Sequence, residues 1–383
     1  MKPLFDQIEI ERENLESDFA SIFERHEAET IFVVSGHVYE ETGLPGIFSK
    51  LGVNVIRFGG YTPNPKYEEI CEGVRLLIDS GASMIVAVGG GSCMDTAKCI
   101  KMYAALDQNM DYMQQQMVSS DIPLVAVPTT AGTGSDGNGN IVIYRDGVKK
   151  SLHHESAVPE YVLFDPDCLK GMSDYQKRAT LADAIAQCIE SLWAKGCSEK
   201  SASYAEEGLQ VLAENYKRYL EGDSKVSPLT QKAAYLSGRA INISKTTAAH
   251  ALSYKLSAVC SVPHGHAVWL LLGPVCKSIE AYLQKEGIEN IDEANTGDDD
   301  MDHLASKIHR IMNIIVPGES RTGALSPAIE QMGKTIGLPI PSYPGERVIE
   351  DMAEQVNPER LGNNPIGYTK DQIVSLYEEA FGR

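Results

Sequence analysis

Asp183 and Gln187 stand four positions apart in LADAIAQCIES (181–191), a stretch whose remaining residues have the apolar spacing of a helix. Four residues are about one turn, so both side chains leave the same face toward one spot. A carboxylate and an amide oxygen so placed are half of a divalent-metal site if imidazoles join them, and a polar helix face if none do. Two imidazoles are available in TTAAHALSYKLSAVCSVPHGHAV (246–268): His250 and His264 lie 14 positions apart, and the Pro-His-Gly turn fixes the second. Convergence of this set on one cation would supply Lewis-acid chemistry at a substrate oxygen.

Two glycine-rich loops could hold a phosphorylated partner. GGGSCMDTAK (89–98) follows a β-branched run and opens a helix near Ser92, so Gly89, Gly90 and Gly91 let the backbone approach a phosphate at a positive helix end, with Ser92 and Asp95 beside it. PTTAGTGSD (128–136) offers Thr129, Thr130, Thr133 and Ser135 after the next run. Loops at the carboxyl ends of neighbouring parallel strands flank the crevice where doubly wound sheets bind nucleotides.

The elements that must position these groups fall into two halves. TIFVVSG (30–36), VNVIRFG (53–59), SMIVAVGGG (83–91), PLVAVPTT (123–130) and NIVIYRDG (140–147) read as strands alternating with helical stretches, which implies a parallel sheet covered on both faces. From about residue 168 the patterns are helical. The boundary is placed near LFDPDC, giving an α/β domain over 1–165 and an all-α domain over 166–383. The acidic run ENIDEANTGDDD (289–300) reads as a solvated loop.

A net charge of −19 disfavours nucleic acid and anionic membranes as partners, which demand clustered Lys and Arg. No apolar run approaches the roughly 18 residues of a membrane span, and the N-terminus is too acidic for a signal peptide, so a cytoplasmic location is expected. The eight cysteines form no CxxC pair, which argues against a disulfide framework or a thiolate zinc site.

The glycine loop, PTTAGTGS, DAIAQCIES and HALSYKLSAVCSVPHG, taken in order and spacing, resemble the motifs of the iron-containing (group III) alcohol dehydrogenases along nearly the whole chain. The resemblance implies a dinucleotide-binding α/β domain, a helical domain, and a divalent metal between them, Fe2+ foremost with Zn2+ as the alternative. Carried over by position, the metal ligands are Asp183, Gln187, His250 and His264. Relatives usually have histidine where Gln187 stands; its neutral carbonyl keeps the site charge but is a harder donor, serving as a weak fourth ligand or holding a bound water. Tyr254 stands where many relatives have a proton-relay histidine. Lys255 and His266 are the nearest ionisable groups in sequence, and the three form the expected catalytic set.

Gly36, followed by His37, occupies the place where NAD-preferring relatives carry an Asp that repels a 2′-phosphate, so NADP(H) is expected to be accepted beside NAD(H). Asn64 and Lys150 match further cofactor-touching positions. RAINISKTTAAHALSYKLS, Gln187 and PHGHAV look like the family branch that reduces phosphonoacetaldehyde to 2-hydroxyethylphosphonate; Lys245, Lys255, His266 and Thr246 or Thr247 would then meet a dianion. The expected partners are a small aldehyde or alcohol and further copies of the chain, as a dimer or larger homo-oligomer. A general short-chain alcohol dehydrogenase and a dehydroquinate synthase-like lyase are the alternatives.

Overall fold

A six-stranded, wholly parallel sheet organises the first half, in a computed structural model that describes residues 7–293 and 298–383. Its strands are β1 (Ile8–Glu11), β2 (Thr30–Val34), β3 (Asn54–Phe58), β4 (Met84–Gly89), β5 (Leu124–Pro128) and β8 (Tyr161–Phe164), ordered β1-β8-β5-β4-β2-β3. Every residue of β4 and β5 is buried, as the continuous apolar runs MIVAVG and LVAVP require of central strands covered on both faces. The accompanying helices are α1 (Leu15–Arg25), α2 (Leu44–Lys50), α3 (Tyr67–Ser80) and α4 (Gly91–Tyr103).

The run 140–147 departs from the sequence expectation. It forms β6 (Asn140–Arg145), which pairs antiparallel with β7 (Val148–His153) in a separate two-stranded sheet. The reason is local: Asp146 and Gly147 both take positive φ, 52° and 73°, the geometry of a two-residue hairpin turn. The parallel sheet instead completes itself with β1 and β8, two four-residue strands.

The second half contains helices and no strand among its described residues: α5 (Asp174–Trp193), α6 (Glu199–Leu220), α7 (Ser227–Ser244), α8 (Ala248–Cys260), α9 (His264–Lys285), α10 (Asp299–Ile315), α11 (Leu325–Ile336), α12 (Glu346–Glu354), α13 (Pro358–Gly362) and α14 (Lys370–Ala380). From Leu181 to Trp193 every residue of α5 is buried, so its polar members Asp183, Gln187, Glu190 and Ser191 must find partners inside protein. The chain divides into two compact units at Met172/Ser173. This lies past the position 165 read from the sequence, because the turn Pro166–Leu169 follows β8 and puts Cys168 into the first unit's core. Of the acidic run, residues 294–297 lie outside the described residues; Asp298 accepts from the backbone N–H groups of Asp300 and Met301 and so caps α10. No helix among the described residues is long and apolar enough to cross a membrane.

Candidate functional site

The second unit gathers its chemistry where α5, α8 and α9 meet. The Ser173 hydroxyl caps α5 by accepting from the Gln176 N–H at 3.2 Å. The first turn of α9 reaches α5 through Gly265: a Cβ there would lie 2.2 Å from the Ala179 carbonyl oxygen and 2.7 Å from the Asp183 Cβ. Glycine is therefore what lets His264 close on Asp183. Asp183, His250 and His264 each present one ligand atom, all within 4.8 Å of one another. Asp183 and His250 are only 2% and 3% exposed.

Asp183 Oδ1 and His250 Nε2 are buried 3.3 Å apart, yet neither has a hydrogen-bond partner, because their alignment is poor. Two orphaned polar atoms inside protein are costly unless something occupies the space between them. Burial disfavours the charged His250 ring, but the Glu190 and Asp183 carboxylates outweigh it and raise the group to about 9. One carboxylate and two imidazoles with this spacing are a donor set that a divalent cation fits.

Glu190, overlooked in the sequence, orients His250. It is fully buried and accepts from Thr247 Oγ1 at 2.6 Å, Ala249 N at 2.9 Å, His250 N at 3.4 Å and His250 Nδ1. A carboxylate on Nδ1 directs the Nε2 lone pair toward Asp183. The signal was present within LADAIAQCIES: Glu190 is seven positions, two turns, beyond Asp183 on the same face.

The remaining candidates separate. The Gln187 carbonyl accepts from Ser237 Oγ at 2.8 Å, so part of its donor capacity serves the fold. Tyr254 lies flat against His264, ring centroids 5.4 Å apart and planes within 1°. Its hydroxyl accepts from Arg360, whose guanidinium sits 5.0 Å from the same ring. Nothing in the sequence pairs Arg360 with Tyr254, 106 positions away. His266 does not join them: Nε2 lies 2.8 Å from the Pro339 carbonyl and Nδ1 2.7 Å from the Tyr175 hydroxyl, so both nitrogens are occupied, and burial lowers its basicity. Lys255 donates to Gln355 at 2.5 Å, and the Thr247 hydroxyl is taken by Glu190 and Trp193. His266 and Thr247 thus spend their polar side-chain atoms within the fold, while the contact with Gln355 uses one of the three Lys255 ammonium hydrogens.

In the first unit the two loops interlock beside β4 and β5, whose ends pair Gly89 with Pro128. A Cβ on Gly90 would meet Thr130 Cγ2 at 3.0 Å, and one on Gly91 would meet Thr133 Cγ2 at 2.9 Å. Absent side chains thus bring the hydroxyl loop onto the first turn of α4, whose N–H groups a helix leaves unpaired. Asp95 and Ser135 stabilise this arrangement: Ser135 Oγ donates to Asp95 Oδ1 at 2.9 Å and accepts from Lys98 at 2.8 Å, while Val142 N donates to Asp95 Oδ2 at 3.1 Å. Burial holds Lys98 down to about 8, against the pull of Asp95 and Asp136. Asp95 and Ser135 were expected to touch a dinucleotide; their side chains are committed to the scaffold. The Asn64 N–H donates to Ser92 Oγ at 3.3 Å. Lys150 is exposed on β7, while Lys149, one position earlier and on the other face, joins Lys98 in opposing the upward push of burial on the Asp95 carboxyl.

Gly36 follows β2 with φ −75°, and the exposed His37 opens the turn His37–Glu41, whose Tyr39 is buried. A Cβ on Gly36 would meet only the Tyr61 hydroxyl, at 4.0 Å. Arg57, which the sequence reading did not select, donates to the Gly36 carbonyl and pairs with Glu40 at 2.6 Å.

Comparison with known proteins places both halves. Residues 10–166 match the model of the iron-containing alcohol dehydrogenases, and residues 177–381 match that of the C-terminal part of the same family. Lactaldehyde reductase of Escherichia coli K12 is 25% identical over 347 residues, covering 85% of this chain and 84% of that enzyme. Among solved structures, the iron-containing alcohol dehydrogenase of Thermococcus thioreducens superposes with a TM-score of 0.83 at 20% identity, over 99% of this chain and 98% of that one. Sulfoacetaldehyde reductase of Bifidobacterium kashiwanohense, solved in complex with NAD+, gives 0.81 at 21% identity over 98% of each chain. The chain is an NAD(P)-linked alcohol dehydrogenase or aldehyde reductase, and it belongs to the iron-containing alcohol dehydrogenase family.

Proposed function

We propose that the protein reduces a small aldehyde carrying a phosphonate headgroup, phosphonoacetaldehyde, to 2-hydroxyethylphosphonate with NADPH. The observation that carries the reading is the trio of buried Asp183 and His250 with half-buried His264, in which Asp183 Oδ1 and His250 Nε2 are orphaned atoms facing one another. These three would hold the divalent ion, with Gln187 beside them as a weak fourth ligand or the holder of a bound water. When bound, the ion supplies Lewis-acid polarisation of the carbonyl.

The chain's own groups do the rest. The first turn of α4 and the Thr129 and Thr130 hydroxyls hold the dinucleotide phosphates, with Ser92 and Asn64 at the rim. Gly36 leaves room for a 2′-phosphate where a carboxylate would repel it, and Arg57 adds a cation there. The bound dinucleotide would supply a hydride to the aldehyde carbon, and the proton that completes the alcohol at oxygen is left for the chain to deliver. Tyr254 is the proton donor. Its oxygen accepts from Arg360, so the phenol hydrogen must point away from that guanidinium, and solvent restores it once given up. Glu190 holds the His250 ring in its donor tautomer throughout.

The test follows NADPH absorbance with apo-protein reloaded separately with iron, zinc, manganese or nickel, on phosphonoacetaldehyde, acetaldehyde, butyraldehyde and lactaldehyde. The reading expects phosphonoacetaldehyde to have the highest kcat/KM, and NADPH to exceed NADH. Equal efficiency on all four aldehydes removes the phosphonate assignment. Absence of NADPH consumption with every metal removes the reductase assignment and favours a lyase.

A further inference from the structure

The chain is strongly acidic, and its arginines commonly lie against carboxylates: Arg145 on Asp111, Arg178 on Asp174, Arg310 on Glu206. The corner around α13 breaks this pattern. Arg360 donates to the Tyr254 hydroxyl, and Lys245 donates to the Asn242 carbonyl at 3.1 Å. Neither cation forms an ion pair among the described residues. Their charges are close enough to act on each other: burial, and then Arg360, hold the Lys245 ammonium below its usual range, although the residue as a whole is exposed. Two neighbouring cations without a carboxylate between them repel, and an acidic chain has many carboxylates that could have been placed there.

The backbone beneath Lys245 is also unusual. It takes φ 64° and ψ 174°, a region essentially reserved for glycine. Asn363 over-determines that corner: its Nδ2 donates to both the Ser244 and Thr246 carbonyls at 2.9 Å, and its Oδ1 accepts from the Gly196 N–H at 3.0 Å. The Ser244 hydroxyl closes on the Lys245 carbonyl at 2.9 Å. Asn363 in turn donates its N–H to the Arg360 carbonyl at 3.3 Å, so the residue that enforces the strained lysine is tied to the turn that presents the arginine.

We propose that Arg360 and Lys245 form a subsite for a tetrahedral oxyanion headgroup, separated from His264 by the Tyr254 ring, and that this pair selects an aldehyde bearing such a group. The inference rests on the reading of the site as an aldehyde reductase and adds the residues that would set its specificity. In a two-carbon aldehyde of this kind only four bonds separate a headgroup oxygen from the carbonyl oxygen, so the cations that meet the headgroup must stand close to the side chains that meet the carbonyl. The stacked Tyr254 and His264 rings are separated by 5.4 Å, with the Arg360 guanidinium at the phenol oxygen. A guanidinium fork and an ammonium complement the several lone pairs of a phosphonate or sulfonate, and charge-assisted bonds of this kind are the strong ones.

The experiment compares wild type with Arg360→Gln, Arg360→Lys and Lys245→Gln in two ways. Kinetically, the ratio of kcat/KM on phosphonoacetaldehyde to that on butyraldehyde is expected to fall roughly 10- to 100-fold in Arg360→Gln and Lys245→Gln, and less in Arg360→Lys. By calorimetry, methylphosphonate is expected to bind wild type and to lose at least tenfold in affinity in each neutral variant. Methanesulfonate binding in place of methylphosphonate supports the subsite while overturning the phosphonate assignment. An unchanged efficiency ratio in both neutral variants, or equal methylphosphonate affinity in wild type and variants, overturns the subsite. If wild type consumes NADPH with no aldehyde, the reductase reading fails and calorimetry alone decides the subsite. Thermal melts of each variant separate lost binding from lost fold.

Discussion

Replacing Glu190 by Gln tests whether the cluster in the helical unit is built to hold a metal or merely happens to be polar. The substitution keeps the shape and removes only the charge and one acceptor. In the wild type the carboxylate accepts four hydrogen bonds and donates none, so Nδ1 of His250 must carry its hydrogen. When the ring gives up its second proton to an ion, Nε2 offers its lone pair on the side of Asp183 Oδ1, 3.3 Å away. In the variant, the amide oxygen keeps the Thr247 hydroxyl and the Ala249 N–H, and the amide nitrogen faces Nδ1. That nitrogen can only donate, which drives the ring hydrogen onto Nε2, the atom a metal would use. Restoring the donor tautomer requires flipping the amide and giving up the three acceptor contacts made at Oε1, roughly 1.5–4.5 kcal/mol together at about 0.5–1.5 kcal/mol each.

Metal affinity should therefore fall roughly 10- to 100-fold, the range found when an outer-shell partner of a ligating histidine is lost. The assay titrates apo-protein with each divalent ion against a chelator of known affinity, with a thermal melt to show that the near-isosteric variant still folds. Binding by Glu190→Gln within twofold of wild type refutes the reasoning, because His250 would then take no orientation from residue 190. Loss of metal together with loss of the cooperative melt assigns Glu190 to the core alone.

Gly265→Ala should separate α9 from α5, since its Cβ would lie 2.2 Å from the Ala179 carbonyl oxygen, a backbone atom that cannot step aside. The expected cost is on the order of 1–3 kcal/mol, read as a lowered denaturation midpoint together with weakened metal binding; an unchanged midpoint contradicts the packing account. Gly36→Asp should be tolerated structurally, because φ is −75° and the nearest atom to the new Cβ is the Tyr61 hydroxyl at 4.0 Å. It should lower the NADPH-to-NADH ratio of kcat/KM at least tenfold, and a ratio that stays constant removes position 36 from the 2′-phosphate argument.

How far the sequence reveals this protein depends on the length over which each physical signal acts. Central strands were legible because burial on both faces makes β4 and β5 continuously apolar. The edge strand IEIE, four residues long and half charged, has no such signature, and it becomes a strand by pairing with residues 161–164 far along the chain. The hairpin was mis-assigned despite a local signal: the Asp146-Gly147 turn was visible, but the alternation of strands and helices before it suggested another parallel strand. Alternation along β7 turns Lys149 toward Asp95 and leaves Lys150, the position matched to the cofactor, exposed.

The same division runs through the site. Asp183, His250 and His264 were recognisable because helical spacing and a Pro-His-Gly turn constrain them locally, and Glu190 was recoverable by counting two turns along the same helix. Arg360 obeys no local rule. It comes from a five-residue helix and matters because Tyr254 stacks on His264 and leaves its hydroxyl facing that helix. His266 shows the converse: two residues from His264 in sequence, it points from another face of α9 into the carbonyl of Pro339 and the hydroxyl of Tyr175. Helical periodicity of 3.6 residues explains both outcomes, since a separation of two rotates a side chain by about 200° and a separation of four brings it nearly back. Proximity along the chain therefore counts for less than phase around the helix, which is why Tyr254, one turn beyond His250, reaches the histidine cluster while Lys255, five positions beyond it, turns away to Gln355.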